Sequence, residues 1–245
     1  MIVYRHTIAS TECEIRFAET LDDAREFLDW LPYAGDVIAF DTETTGLDLF
    51  AADHKLRLAQ FGNAEVAYVL RADMFAEFIR KGLQSPNWFV AHNANYDMLV
   101  VDRHLGVSLE SLAPQMFDTR ILAHLLDPRG KEEGGTGHSL KDLAAIYVDS
   151  AAPDSERELA AVFRSMKATK ATGWALIDID QPDYVRYAGV DVLITRRLFD
   201  HIAPMVKAIG LNALSQFEHL LASRLGMLQR RGMLIDVPYT EGLLS

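Results

Sequence analysis

Asp41 and Glu43 lie two residues apart in "VIAFDTETTGLD", residues 37 to 48, at the end of an apolar run. Along a β-strand such neighbours point to one side, so the two acids converge while Phe40 and Thr42 face the other way. Burying two like charges costs several kcal/mol unless their pKa values rise, cations pair with them or the strand end is solvated. The "TTG" that follows marks a turn at the strand's carboxyl end, where open α/β sheets place ligand sites. Asp97, in "AHNANYD", follows a second apolar run at the entrance to a helix. By itself it reads as a helix N-terminal acid favoured by the macrodipole. Tyr187 and Asp191, in "YAGVD", are four residues apart, so on a helix a phenol and a carboxylate project together. Each signal alone has an ordinary structural explanation. As a set, Asp41, Glu43, Asp97 and Asp191 offer oxygen ligands suited to two hard divalent cations, Mg²⁺ or Mn²⁺. Two such ions about 4 Å apart clamp the attacking and leaving oxygens of a phosphodiester, and the Tyr187 hydroxyl would orient the attacking water.

The elements that must position these groups can be read from periodicity. Short apolar strands "EIRFA" and "VIAFDTE" flank a helical stretch, "TLDDAREFLDWL", that opens at a Thr/Asp cap. "LRLAQFGN" and "VAYVLRA" read as a hairpin around Gly62 and Asn63, and "NWFVAHN" as a further buried strand. "YDMLVVDRHLG" has helical spacing and a glycine stop. From Asp118 onward the pattern is mostly helical, with a Gly-rich charged loop, "DPRGKEEGGTGHS", that lacks the GxxxxGK[ST] spacing of a phosphate cradle. Strands first, then helices, predict an α/β fold with a mixed sheet of five strands flanked by helices.

Composition bounds the function. The chain has 245 residues, 49% of them hydrophobic, enough for a sizeable core. Neither a secretory leader nor a membrane-spanning run is present, so a cytoplasmic protein with no membrane partner is expected. A single cysteine, Cys13, excludes a disulfide framework and any multi-thiolate zinc site and reads as a small core residue. The net charge of −11 argues against nonspecific binding of polyanions. The exception is an enzyme whose carboxylates hold cations, because the bound ions then supply the field that a phosphate meets.

The three motifs "FDTETTGLD", "HNANYD" and "YAGVD" resemble those of the DEDD-type 3'–5' exonucleases, in the branch with tyrosine in the third motif. The histidine branch would need a histidine at 186, where this chain has Arg186. The resemblance spans roughly residues 35 to 200 and implies a ribonuclease H-like (DnaQ-like) exonuclease fold. "HSLKDLAAIYV" is similar to the helix between the second and third motifs in family A DNA polymerases and ribonuclease D. "FEHLLASRLGMLQRRGMLIDVPY" looks like the segment that leads from proofreading domain to thumb in phage-like family A polymerases. The resemblance therefore implies residues 1–34 as a strand and helix lead-in, 35–208 as the exonuclease, and 209–245 as the helical start of a connection to a polymerase (thumb) domain outside this chain. That polymerase domain and a single-stranded or frayed 3' DNA end are the expected partners, in a bacterial or phage-infected cell, with a monomer as the default state.

By analogy with the family, Asp41 bridges both cations, Glu43 and Asp191 complete the site of the ion that activates water, and Asp97 holds the second ion largely through waters. Tyr187 with Glu43 orients the nucleophile. Thr44 and Leu47 fall where the family contacts or wedges the 3'-terminal nucleotide, and Asn93 matches a position near the scissile phosphate; simple turn packing is the alternative for Thr44 and Leu47. Phe163, Arg164 and Lys167, with Lys170 and Trp174 nearby, suit contacts to a single strand through stacking and phosphate pairing, or else form a solvated helix face. Asp118 recurs in the family but reads as a helix N-cap, and His92 as a structural residue. The competing functions are a ribonuclease D-like exoribonuclease, which uses the same five residues, and a catalytically silent strand-binding module, which the five intact residues disfavour.

Overall fold

The five runs read as strands form the interior of a seven-stranded sheet. In the computed structural model, which describes residues 1–244, the strands are β1 (Ile2–Ile8), β2 (Thr11–Phe17), β3 (Val37–Thr44), β4 (Leu56–Gly62), β5 (Val66–Arg71), β6 (Trp88–Ala91) and β7 (Met116–Asp118). Their order is β1-β2-β5-β4-β3-β6-β7. β2–β5, β3–β6 and β6–β7 are parallel pairs, and β1–β2, β3–β4 and β4–β5 antiparallel. The expected count of five is corrected to seven, and both extra strands lie at the edges. β1 is joined to β2 through Ala9 and Ser10, each with positive φ, a tight hairpin without the glycine or asparagine that usually announces one. β7 is only three residues long, too short to show a period.

The helices are α1 (Leu21–Trp30), α2 (Ala72–Leu83), α3 (Ala94–Leu105), α4 (Leu109–Leu112), α5 (Thr119–Leu126), α6 (Leu140–Tyr147), α7 (Asp154–Ser165), α8 (Lys170–Leu176), α9 (Pro182–Ala208), α10 (Asn212–Arg231) and α11 (Val237–Leu244). Thr20 and Asp23 close a reciprocal cap on α1. Asp118 caps α5 through the Arg120 amide and also accepts the amides of Asn93 and Ala94, tying the start of α3 to β7. Gly106, at φ 67°, ends α3 in the left-handed conformation that favours glycine. Among the described residues, no helix is long and apolar enough to cross a membrane.

Two apolar layers sandwich the sheet. Ile38 and Phe40 of β3 join Phe27, Phe61, Tyr68, Phe75 and Phe89 beneath α1, α2 and α3. Ala39 of the same strand joins Ile15, Leu58, Val69, Val90 and the α9 residues Tyr184, Val185 and Val190 on the opposite side. This alternation turns Asp41 and Glu43 toward α9. The helix approaches unusually closely: a Cβ added at Gly189 would fall 2.3 Å from Ile15 Cγ2, and one added at Gly62 2.8 Å from Val192 Cγ2. Gly189 lies between Tyr187 and Asp191, so the contact that seats the helix also sets the height of those two side chains above the sheet.

α10 crosses α3 and β7. Asn95 donates to the Ala222 carbonyl, the Asp118 amide donates to His219 Nε2, and Arg230 pairs with Asp102 and Glu110. Its other side leaves Phe217, Leu220, Leu225 and Leu228 more than half exposed.

Replacing Gly189 by alanine should overpack the α9–β2 contact and destabilise the protein by about 1–3 kcal/mol. Thermal melts of Gly189→Ala, Ile15→Ala and the double variant test this. The double variant should lose less than the sum of the single losses, since the second change opens the space the first one needs.

Candidate active site

Three elements bring the acids together. Asp41 and Glu43 come from β3, Asp97 from the first turn of α3, and Asp191 from the middle of α9. Glu43, Asp97 and Asp191 are buried and Asp41 is half-buried. Thr42, on the reverse side of β3, donates to Asp97 Oδ1 at 2.6 Å, which fixes the α3 acid at the strand end. Asp191 is held by the Lys141 ammonium of α6. Lys141 also donates to Ser155 Oγ at 3.1 Å and lies 4.8 Å from the centre of the Tyr187 ring. The cleft has a volume of about 610 Å³. Its floor is Asp41, Glu43 and Asp191, and its walls include Thr44, Leu47 and Tyr96 on one side and Lys170, Trp174 and Tyr187 on the other.

A β-bulge shapes the second wall. The β3–β4 register pairs Glu43 with Leu58 and Thr44 with Leu56, so Arg57 is left without a partner opposite it. Bulges re-aim side chains beside functional sites. Here Arg57 donates to the carbonyls of Trp174 and Ile177 and lies 5.3 Å over the Tyr184 ring. It thereby anchors the C-terminal end of α8 to the sheet. Trp174 in turn packs 5.7 Å from Tyr187, ring centre to ring centre.

Burial dominates the electrostatics, and crowding of like charges adds to it. Burial, and then Asp97, Glu43 and Asp191, push the Asp41 carboxyl well above the usual range, with Lys141 opposing. Burial followed by Asp191 and Asp97 does the same to Glu43, against Lys141 and Arg57. Asp97 is raised by burial to about 7 despite the hydrogen bonds from Thr42. Burial raises Asp191 too, opposed chiefly by Lys141. The Tyr187 phenol is pushed well above its ordinary value by burial and then by Asp191, so it stays protonated.

The donor set suits hard divalent cations, since it is all oxygen and is short of positive charge. It is not closed: among the described residues, no three acidic, histidine or cysteine side chains converge as a preformed cage. Thr42 and Lys141 each hydrogen-bond an oxygen of a prospective ligand.

The remaining expected residues separate into those in the cleft and those outside it. Thr44 is buried and donates to the Gly46 carbonyl at 2.8 Å, with the Tyr96 hydroxyl 2.7 Å away. Leu47 is 86% exposed at the rim. Asn93 starts α3 in the left-handed conformation and accepts from Arg120. It lines a separate, smaller hollow of about 280 Å³. Phe163 is corrected from a surface aromatic to a core residue: it is 3% exposed, packs edge-on against Trp174, and fills the space that the missing side chain of Gly173 leaves open. Arg164 and Lys167 are exposed but do not share a helix face, because α7 ends at Ser165 and Lys167 turns with φ 56°. Lys170 does line the cleft and pairs with Glu156. His92 bridges Thr119 and the His138 carbonyl, a structural role.

Lys141 and Tyr96 escaped the sequence reading. The signal for Lys141 was its place three residues before Ala144, on the buried side of α6. Tyr96 precedes Asp97 in the second motif, and its hydroxyl donates to the Gly46 carbonyl at 2.9 Å, clamping the turn that follows β3.

Residues 15–207 match a family model described as 3'–5' exonuclease. The chain is 37% identical to a DNA polymerase of Mycobacterium phage D29, over 99% of its own length and 41% of that polymerase. The chain thus spans about two fifths of this curated relative. In fold it is similar to Escherichia coli RNase D, with a TM-score of 0.62 and 18% identity over 90% of this chain and 51% of that one. It is likewise similar to Brucella melitensis NrnC with bound Mg²⁺, with a TM-score of 0.59 and 19% identity over 89% of this chain and 92% of that one. The sheet and its helices are accordingly a ribonuclease H-like exonuclease fold.

The raised carboxyls make a pH prediction for the protein in chelator. A carboxyl whose pKa is higher folded than unfolded binds protons more tightly in the folded state, so stability is greatest at low pH and is lost as the group ionises. For Asp97 the window runs from its ordinary 3.8 to about 7. Melting temperature in EDTA should therefore fall as pH rises from about 4 to 7, and Asp97→Asn, which can still accept from Thr42, should flatten part of that fall. An unchanged pH dependence in the variant would show that Asp97 is not under this strain.

Proposed function

Because the chain belongs to the 3'–5' exonuclease family, we propose that it removes nucleotides from the 3' end of single-stranded or frayed DNA, as the proofreading part of a longer DNA polymerase. The observation that supports this reading is the cleft lined by Asp41, Glu43, Asp191 and Tyr187, with Asp97 near enough to raise the Asp41 carboxyl. The relative from phage D29 supports DNA as the substrate and a polymerase domain in the same full-length chain.

Asp41, Glu43, Asp97 and Asp191 would hold two divalent cations, Mg²⁺ or Mn²⁺. When bound, the cations supply Lewis-acid stabilisation of the charge that builds up as a water attacks the terminal phosphodiester. Glu43 and Tyr187 orient that water. Tyr187 does so as a hydrogen-bonding phenol and not as a base, because burial and the neighbouring acids keep its proton on. The bond from phosphorus to the 3' oxygen breaks, leaving a hydroxyl on the strand and releasing a nucleoside 5'-monophosphate. Leu47 and Trp174, on opposite walls, bracket the terminal nucleotide, and the Thr44 and Tyr96 hydroxyls line its path.

Incubating labelled DNA and RNA oligonucleotides with Mg²⁺, Mn²⁺ or chelator tests the reading. Stepwise loss of mononucleotides from the 3' end of DNA, abolished by chelator, is expected. Faster decay of RNA would favour a ribonuclease D-like enzyme, and binding without hydrolysis a silent module. Asp41→Ala should lower the rate by orders of magnitude without loss of folding, since it relieves repulsion; near-normal hydrolysis would overturn the assignment.

Tyr187→Phe keeps the ring against Trp174 and Lys141 but removes the hydroxyl. It should lower kcat about 10- to 100-fold with little change in KM, the pattern of a group that acts mainly in the transition state.

A further inference from the structure

Lys141 is a buried cation seated among the acids. It is 8% exposed, in the first turn of α6, and its ammonium contacts Asp191 Oδ1, Ser155 Oγ and the face of the Tyr187 ring. An ammonium only donates hydrogen bonds, and here two acceptors and an aromatic face surround it, so its position is well determined. The partners belong to α7 and α9, so the contact also ties α6 to the helix that carries Asp191.

This location conflicts with simple metal binding. A divalent ion that takes Asp191 as ligand must share the carboxylate with a fixed positive charge or displace it, and like charges at such separations oppose each other strongly away from bulk water. Charge balance suggests when the conflict is relieved. Four carboxylates, one ammonium and two dications leave one positive charge, and one phosphodiester anion neutralises it.

We propose that Lys141 is a positioning residue that holds Asp191 in place of a divalent cation and weakens metal binding there until the phosphate of a substrate strand arrives. The inference rests on Asp191 being a metal ligand, as in the reading above. The site would thus be kept from charging fully, and from acting, in the absence of a strand.

Titration of the intact chain with Mn²⁺ alone, without nucleic acid, tests it by calorimetry. Lys141→Met preserves the stem and removes the charge; Lys141→Gln also retains a donor for Asp191 and Ser155, and so gives a readout if the first variant fails to fold. Both should bind Mn²⁺ roughly tenfold or more tightly than the parent, because a competing cation is gone. A role confined to holding the helices together would instead let Lys141→Gln behave like the parent. Unchanged or weaker Mn²⁺ binding in both variants would overturn the proposal. Asp191→Asn separates the two levels of the reading: if it leaves Mn²⁺ binding intact, Asp191 is not a ligand and the site assignment itself fails.

Discussion

Burial of four acidic side chains close to one another is the constraint to which the rest of this structure answers. Each acid is displaced toward its protonated form by burial and by neighbouring acids. A fold can tolerate such a cluster only if the elements that carry it are held by something else. Here that support is apolar: aromatic side chains under α1, α2 and α3 on one side of β3, and aliphatic packing between α9 and the sheet on the other. The acids sit where these two layers end, so the core carries the energetic burden that the site imposes.

The positioning is shared among contacts of different kinds. The period of β3 aims Asp41 and Glu43 at α9. A hydrogen bond through the strand, from Thr42, catches Asp97 from the other side. Close approach at Gly189 sets Tyr187 and Asp191, and Asp118 gathers the amides that begin α3 and α5. No single element contains the site. The cleft exists only in the assembled sheet.

What could be read in advance follows from the range of the interaction. The acid pair on β3 and the Tyr187–Asp191 pair are local patterns with periods of two and four, and they are visible in a linear string. Asp97 was visible because an apolar strand runs directly into a helix around it. Four of the five inner strands are largely buried apolar runs and β2 alternates, whereas β1 turns on Ala9 and Ser10 and β7 is a fragment. Lys141 was overlooked for a different reason: a lysine in a first helical turn ordinarily faces water, and its partner Asp191 lies 50 residues away. Phe163 misled for a similar reason, since the residue that makes room for it, Gly173, lies on the next helix.

Arg57 gives the cleft a modular character. α8 carries Trp174 and Lys170, and it is attached by the Phe163–Gly173 contact and by a guanidinium that reaches from the β4 bulge to its last carbonyls. None of the four acids resides on that segment. Exchanging residues 166–178 for another loop or helix would therefore reshape one wall of the cleft while leaving Asp41, Glu43 and Asp191 on the elements that carry them. The acid floor and the α8 wall thus depend on different contacts, the first on β3 and α9 and the second on Arg57 and the Phe163–Gly173 packing.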